Sequence, residues 1–393
     1  MHYHIILTEK CNLQCRYCYE KSMDEFDNGL EEKFSFDFNE PCVSQIKIEK
    51  LKSFIEKDKD AVTIFYGGEP LLQIDKIKTI MNEIDVPFRM QTNGILLNSL
   101  EPKYLNRIDK ILISLDGDKE RTDYNRGKGT YEKVIKNIEL IKNNGYEGEL
   151  IARMAIAQEF PDLYEQVIHL INLKTKSVKE ERNNLSPLPT TNYPLIEDKI
   201  FDSVHWQLDV GFYKEDFEIE KIKKFFDEYN KSISKLLEYW VKEIEQGNVL
   251  MLYPFVGIVE SILKNEPTKI RCGAGHSGYA ISTSGKVVAC PIMNSIEDFK
   301  TGTLDINPSE LKKIDMNECE NCEIVDLCGG RCMYWRKAGL WPKEGDDLIC
   351  DSIKYYIKEI QKIMPRINEA IEKEVIKESD FDYEKYFGPE IIP

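Results

Sequence analysis

No apolar run in this chain approaches the ~20 residues needed to cross a bilayer, and no internal repeat or low-complexity segment is present. Positive charge is outweighed, with 53 Lys and Arg against 69 Asp and Glu. The formal net charge is −16, and no basic patch stands out. That balance argues against nucleic acid as the main partner and against an anionic membrane surface. A secretory signal is lacking, because Glu9 and Lys10 interrupt a short apolar stretch almost at once; a cytoplasmic location is therefore expected. Cysteine is absent between Cys42 and Cys272, yet the chain has eleven, and all but Cys42 crowd its two ends. In a reducing compartment such thiols are not expected to form disulfides. Core-filling cysteines would be scattered, so clustering favours metal ligation. At 393 residues the chain has room for two domains and a large core.

The first cluster is Cys11-Asn12-Leu13-Gln14-Cys15-Arg16-Tyr17-Cys18, directly after the apolar run His4-Ile5-Ile6-Leu7-Thr8. Three thiolates on one tight loop suit a [4Fe-4S] cube with one iron left for a small molecule. The alternative is a zinc site, but zinc sites usually pair C-x2-C units and need four ligands, and no fourth cysteine or histidine is near. With an aromatic residue just before its third cysteine, the run resembles the signature of the radical S-adenosylmethionine (SAM) superfamily. The resemblance implies that the open iron binds the amino and carboxylate groups of SAM.

Strand candidates lie at 3–8, 62–66, 88–92, 110–115, 149–156 and 204–210, each rich in Ile, Val, Leu or aromatics, as buried parallel strands are. Helical periodicity separates them, as at 46–58 and 131–143. Alternating strand and helix predicts right-handed crossovers and a parallel sheet. The expected fold is α/β: a partial (β/α)6 TIM-like barrel over residues 1–215. A helical linker at 216–268, a cysteine-rich domain at 269–352 and a C-terminal helix and tail at 353–393 complete the expected organisation. In such barrels chemistry sits on the loops after the strands, where Cys11–Cys18 falls.

The second strand ends in Gly67-Gly68-Glu69-Pro70, whose glycines let backbone approach a ligand; it is either a plain turn or a match to the superfamily's SAM-amino motif. The resemblance likewise implies SAM contacts from Tyr17, Thr92 and Asn93 after the third strand, Ser114 and Asp116 after the fourth, and Arg153 on the fifth. An arginine suits a carboxylate through two parallel charge-assisted bonds. Asn93-Gly94 and Asp116-Gly117 also read as ordinary turns. Asp123-Tyr124-Asn125-Arg126 resembles a family segment without an assigned role. The polar stretch 174–200 is a lid candidate or a surface insertion.

The second cluster runs Cys272, then Gly285 after twelve residues and Cys290 after four more, then Cys319-x2-Cys322-x5-Cys328-x3-Cys332, and ends at Cys350. This order resembles the SPASM pattern of peptide-modifying radical SAM enzymes. A single tetrahedral zinc on Cys319, Cys322, Cys328 and Cys332 would leave the other three unexplained. The resemblance implies two auxiliary [4Fe-4S] clusters, one on Cys272, Cys290 and Cys332, the other on Cys319, Cys322, Cys328 and Cys350. The first set lacks a fourth cysteine; Cys42 and His276 have commoner explanations, as a small buried residue and a capping residue.

The resemblance further implies reductive cleavage of SAM to a 5′-deoxyadenosyl radical, an electron donor such as ferredoxin or flavodoxin, and oxidative modification of a peptide or protein side chain, as in the maturation of ribosomally made peptides. A sulfatase maturase forming formylglycine is the nearest alternative, weakened because Pro291 stands where that subgroup has an aspartate. A non-catalytic iron–sulfur electron carrier is the alternative from another class. Only ten residues precede Cys11, so substrate recognition is expected to use the helical linker, the 174–200 stretch or another protein. Asp209, at the expected end of the sixth strand, is a candidate acid, base or substrate contact, or a structural carboxylate.

Overall fold

The computed structural model describes residues 1–18, 29–177, 196–209, 217–314, 319 and 321–386. Its centre is a set of six parallel strands in sequential order: β1 (His2–Ile6), β2 (Val62–Tyr66), β3 (Phe88–Thr92), β4 (Ile108–Ser114), β5 (Glu149–Ile156) and β8 (Ser203–Leu208). Two short strands, β6 (Lys174–Ser177) and β7 (Ile196–Lys199), form a separate antiparallel ribbon between β5 and β8. They are the two ends of the polar 174–200 stretch; its middle, and Val210 at the expected end of the sixth strand, lie outside the described residues.

The strands are apolar on both faces because both are covered. Along β4, Ile111 and Ile113 belong to the main core, whereas Leu112 joins Ile64, Ile151 and Tyr253 in a small separate cluster. Successive residues of a strand point to opposite faces, so this alternation separates the face under the helices from the inside of the barrel. Helices Ile48–Ile55 and Thr130–Asn143 lie where the 3.6-residue periodicity places them, with ends within three residues of the expected spans, since helix ends fray.

The C-terminal region continues the sheet. After β9 (Met251–Leu252), which pairs with β8, strand β10 (Gly278–Ile281) lies parallel to the free edge of β1, and β11 (Lys286–Val288) and β12 (Lys300–Thr303) follow antiparallel. Ten strands thus form one sheet, in the order β12-β11-β10-β1-β2-β3-β4-β5-β8-β9. The amphipathic helix Ile219–Glu245 packs against the helix Lys343–Glu372. The first presents Phe226, Ile233, Leu237, Trp240 and Ile244 on one buried stripe. The second runs through the boundary expected at 352, so the cysteine-rich stretch and the C-terminal tail share a continuous helix. No helix among the described residues is long and apolar enough to span a membrane.

The tail returns beneath the barrel at the N-terminal ends of the strands. Glu384 accepts from Arg89 Nη2 at 3.0 Å, lies 3.1 Å from His2 Nε2 and 3.4 Å from Lys110 Nζ. The opposite end, where β1 to β5 and β8 finish, stays clear for chemistry.

Candidate functional site

Thr8 to Cys18 leaves β1 and crosses the end of β2, where two glycines permit an approach no side chain would allow. The Gly68 N–H donates to Thr8 O at 2.8 Å and the Glu69 N–H to Lys10 O at 3.0 Å. A Cβ on Gly67, whose φ is +143°, would stand 2.2 Å from Thr8 O; one on Gly68 would stand 2.6 Å from the carbonyl oxygens of Glu9 and Lys10. The thiol-bearing loop is therefore held by backbone contact.

That loop forms one wall of a cavity of about 240 Å³. Of the residues singled out in the sequence, Cys11, Cys15, Tyr17, Cys18, Gly67, Gly68, Thr92, Asn93, Ser114, Arg153, Asp209 and Cys332 line it. All but Cys332 come from the ends of six parallel strands or the loops after them, and meet because those strands all finish at one side; Cys332 arrives from the C-terminal region. Asp209 directly follows β8, and its backbone N–H donates to Ile156 O at 2.9 Å.

Glu69, Pro70 and Asp116 do not line the cavity. Glu69 is fully buried and accepts from the Leu71 N–H at 3.0 Å, Thr92 Oγ1 at 2.8 Å and the Asn93 N–H at 2.8 Å. Its carboxylate fixes the Thr92–Asn93 turn from behind. Burial nevertheless pushes its pKa up to about 7, against the pull of those three donors. Asp116, also fully buried, accepts from Arg126 Nη2 at 2.8 Å and Nε at 3.0 Å, Tyr17 Oη at 2.5 Å, Asn125 Nδ2 at 3.2 Å and the Ala155 N–H at 3.0 Å. It anchors the parts that surround the site.

Arg126 was not singled out by sequence reasoning, although the segment carrying it was noticed. Besides Asp116, it reaches Cys15 Sγ with Nη1 at 4.0 Å and lies 5.3 Å from the centre of the Tyr17 ring. Asn125 O accepts from the Arg16 N–H at 2.9 Å. Gln207 was also missed; its Oε1 accepts from Arg153 Nη2 at 2.7 Å across the β5–β8 pair. Neither contact has a local sequence signal, since the partners are far apart in the chain.

Sulfur atoms across the molecule accept hydrogen bonds from nearby donors. Cys11 Sγ takes the Leu13 N–H at 3.4 Å and Asn93 Nδ2 at 3.6 Å. Burial pushes the Cys290, Cys328 and Cys332 thiols up, and backbone N–H groups pull each back: Ile292 and Met293 for Cys290, Gly330 and Arg331 for Cys328, Trp335 and Tyr334 for Cys332. Donors aimed at sulfur stabilise a thiolate, the form that ligates iron, and tune clusters.

The C-terminal cysteines fall into two groups. Cys290 lies within electrostatic reach of both Cys332 and Cys272, and shares a small cavity with Cys272. Cys319, Cys322, Cys328 and Cys350 line another. Among the described residues no three His, Cys, Asp or Glu side chains close around a point as they would around one bound ion. Three cysteines outside any disulfide on one loop, with donors at Cys11 Sγ and Cys15 Sγ and a largely apolar cavity carrying a few polar groups beside them, fit a three-cysteine [4Fe-4S] cluster next to a small-molecule site. Cys42 lies on the surface beside the start of the first loop, its carbonyl accepting from Thr8 Oγ1 at 2.9 Å. His276 caps its own turn, with Nε2 2.8 Å from Lys269 O.

Comparison with known proteins agrees with this geometry. Residues 5–198 match the Radical SAM superfamily model. A cysteine-type anaerobic sulfatase-maturating enzyme of Clostridium perfringens (strain 13 / Type A) is 24% identical over 383 residues, covering 88% of this chain and 92% of the relative. The radical SAM cyclopropyl synthase TigE of Paramaledivibacter caminithermalis is 24% identical over 355 residues, covering 84% and 67%. The solved structure of native anSMEcpe with bound AdoMet and Cp18Cys peptide superposes with a TM-score of 0.64 at 19% identity, over 95% of this chain and 99% of that one, so the fold is shared. The cysteine loop after β1, the paired glycines after β2 and the family match over 5–198 lead to one conclusion: this chain carries a radical SAM domain and is an enzyme of the radical SAM superfamily.

Proposed function

We propose that this chain is a radical SAM enzyme of the SPASM type that oxidatively modifies a side chain of a peptide or protein. The observation carrying this reading is the shared cavity, lined by the three thiols of the N-terminal loop and also by Cys332 of the C-terminal region. In this reading Cys11, Cys15 and Cys18 hold the [4Fe-4S] cluster that serves SAM. Two auxiliary clusters belong to Cys272, Cys290 and Cys332 and to Cys319, Cys322, Cys328 and Cys350. Cluster and SAM together supply, when bound, a 5′-deoxyadenosyl radical able to remove an unactivated hydrogen.

The chain's own part is binding, orientation and exclusion of water. Tyr17, the Gly67–Gly68 backbone, Thr92, Asn93, Ser114 and Arg153 offer the polar contacts for SAM, while Glu69, Pro70 and Asp116 hold those contacts from outside the cavity. Ile292, Tyr334, Trp335, Ile349 and Ile353 give the same cavity an apolar wall, which keeps solvent from a reactive centre. Asp209 is the candidate acid, base or substrate contact. Residues 1–215 would work as the radical SAM barrel, 216–268 as a linker, 269–352 as the auxiliary-cluster unit and 353–393 as its brace. A peptide substrate agrees with the peptide-bound relative of like fold; ferredoxin or flavodoxin is the proposed electron donor and the cytoplasm the proposed location.

A second reading, formylglycine formation, is favoured by the sulfatase-maturating relatives. It is opposed by Pro291, which lines the Cys272–Cys290 cavity where a base would be needed.

Anaerobically reconstituted protein is expected to carry about twelve irons per chain, from three four-iron clusters. Reduction in the presence of SAM should release 5′-deoxyadenosine. Candidate precursor peptides encoded beside the gene should lose two hydrogens, read by mass spectrometry. No deoxyadenosine from iron-replete protein would overturn the radical reading; a cysteine peptide converted to formylglycine would decide for the second one.

A further inference from the structure

Between Cys328 and Cys332 the chain reads Gly329-Gly330-Arg331, and all three residues have left-handed backbones, with φ of 75°, 100° and 63°. Glycine adopts that region freely, whereas arginine meets a conformational cost there that a third glycine would avoid. A side chain at 331 therefore answers a need other than the turn itself. The residue is only 7% exposed. Its Nη2 pairs with Asp346, which also takes Arg336 Nη1 and Trp335 Nε1. Its Nε and Nη1 have no hydrogen-bond partner among the described residues. Buried donors of a cation are seldom left so in a native protein, which points to a ligand that takes them.

The position of Arg331 shows which ligand is at hand. It lines the main cavity together with Cys332, and also the small cavity of Cys319, Cys322, Cys328 and Cys350. Its charge reaches Cys328, Cys332 and Cys350, members of both sulfur groups. We propose that Arg331 is a positioning residue shared by the two C-terminal cysteine groups, giving its two uncommitted N–H donors to the bound clusters and raising the reduction potentials of both. This rests on the reading that these seven cysteines hold iron–sulfur clusters. A fixed cation and donors to sulfur favour the reduced, more negative state of a cluster. Sharing one cation moves both potentials in the same direction, which suits sites that accept an electron from the modified substrate.

The test is an EPR-monitored redox titration of the reconstituted full chain, with iron counted for each protein. In Arg331→Gln and Arg331→Gly both auxiliary midpoints should shift to more negative potential, while the N-terminal cluster's midpoint stays where it is. Arg331→Lys should shift them less, and Asp346→Asn should shift them the opposite way. Glycine suits the left-handed backbone, so Arg331→Gly keeps the turn even if glutamine disturbs it. Unmoved or more positive auxiliary midpoints in both neutral variants would overturn the proposal. So would movement of only one auxiliary cluster, or loss of iron from both variants, which would mark a purely structural role. Wild-type chain with only about four irons would remove the parent reading and this inference with it, whereas full iron with unmoved midpoints removes this inference alone.

Discussion

Replacing Gly68 by alanine is expected to damage the site through backbone contact alone. The added methyl would lie 2.6 Å from Glu9 O, 2.6 Å from Lys10 O and 2.8 Å from Lys10 C. All three are main-chain atoms, so no side chain can swing aside. Relief requires the Thr8–Lys10 backbone to retreat, which strains the bonds from the Gly68 N–H to Thr8 O and from the Glu69 N–H to Lys10 O. Overpacking costs about 1–3 kcal/mol, and two weakened hydrogen bonds add about 1 kcal/mol each at most. The total, about 1–5 kcal/mol, does not exceed the roughly 5–15 kcal/mol of an ordinary domain, so the variant should fold. Urea unfolding should show a lower midpoint at unchanged slope. Reconstitution should fall short by about four irons per chain, because Cys11 lies just beyond the displaced segment. Gly145→Asn is the control: its backbone is left-handed, a Cβ there meets nothing within 4 Å, and asparagine tolerates that conformation. An alanine variant with the wild-type midpoint and full iron would refute the reasoning.

Other consequences can be checked independently. Glu69 has its pKa raised by burial from 4.5 to about 7; stability from this group is full below pH 4.5 and declines as pH rises through 7. Wild type should therefore lose about 3 kcal/mol relative to Glu69→Gln between pH 5 and 8 in paired urea titrations, and a difference independent of pH would contradict this. Glu384 behaves in the opposite sense. Burial would raise it, but His2, Arg89 and Lys110 hold it at about 2, so its contribution of up to about 3 kcal/mol is present above pH 4.5 and lost as pH falls toward 2. Glu384→Gln should flatten the acid limb of the stability profile; an unchanged limb would rule out the network as its source. Asp209→Asn should cut peptide turnover by about 10²–10⁴-fold while deoxyadenosine release persists, and loss of both activities would show a SAM-binding role instead.

Much of the barrel is legible because each piece depends on neighbouring residues. Six apolar runs and the helical periodicity between them give the order of the parallel sheet, and each strand was found within two residues of its expected span among the described residues. The cysteine loop and the paired glycines are legible for the same reason: three thiols on one turn and two missing side chains are local facts. What failed to show was how carboxylates and cations are used. Glu69 and Asp116 stand in motifs read as ligand-facing, yet both turn inward, because Thr92, Asn93 and Arg126 arrive to satisfy them. Arg126, Gln207 and Arg331 gain their places from partners on other elements.

The amino-acid order alone settled the alternation of strand and helix, the placing of the thiols on the loop after β1, and the clustering of the remaining cysteines near the C-terminus. Only the tertiary structure decided that β10 extends the sheet from the free edge of β1, that Cys332 joins the wall of the N-terminal cavity, and that a tail carboxylate gathers His2, Arg89 and Lys110 beneath the barrel. The physical reason is range. Backbone conformation and periodic burial are set by residues a few positions apart, whereas hydrogen bonds and ion pairs in a buried site are set by whichever distant groups the packed core brings within reach.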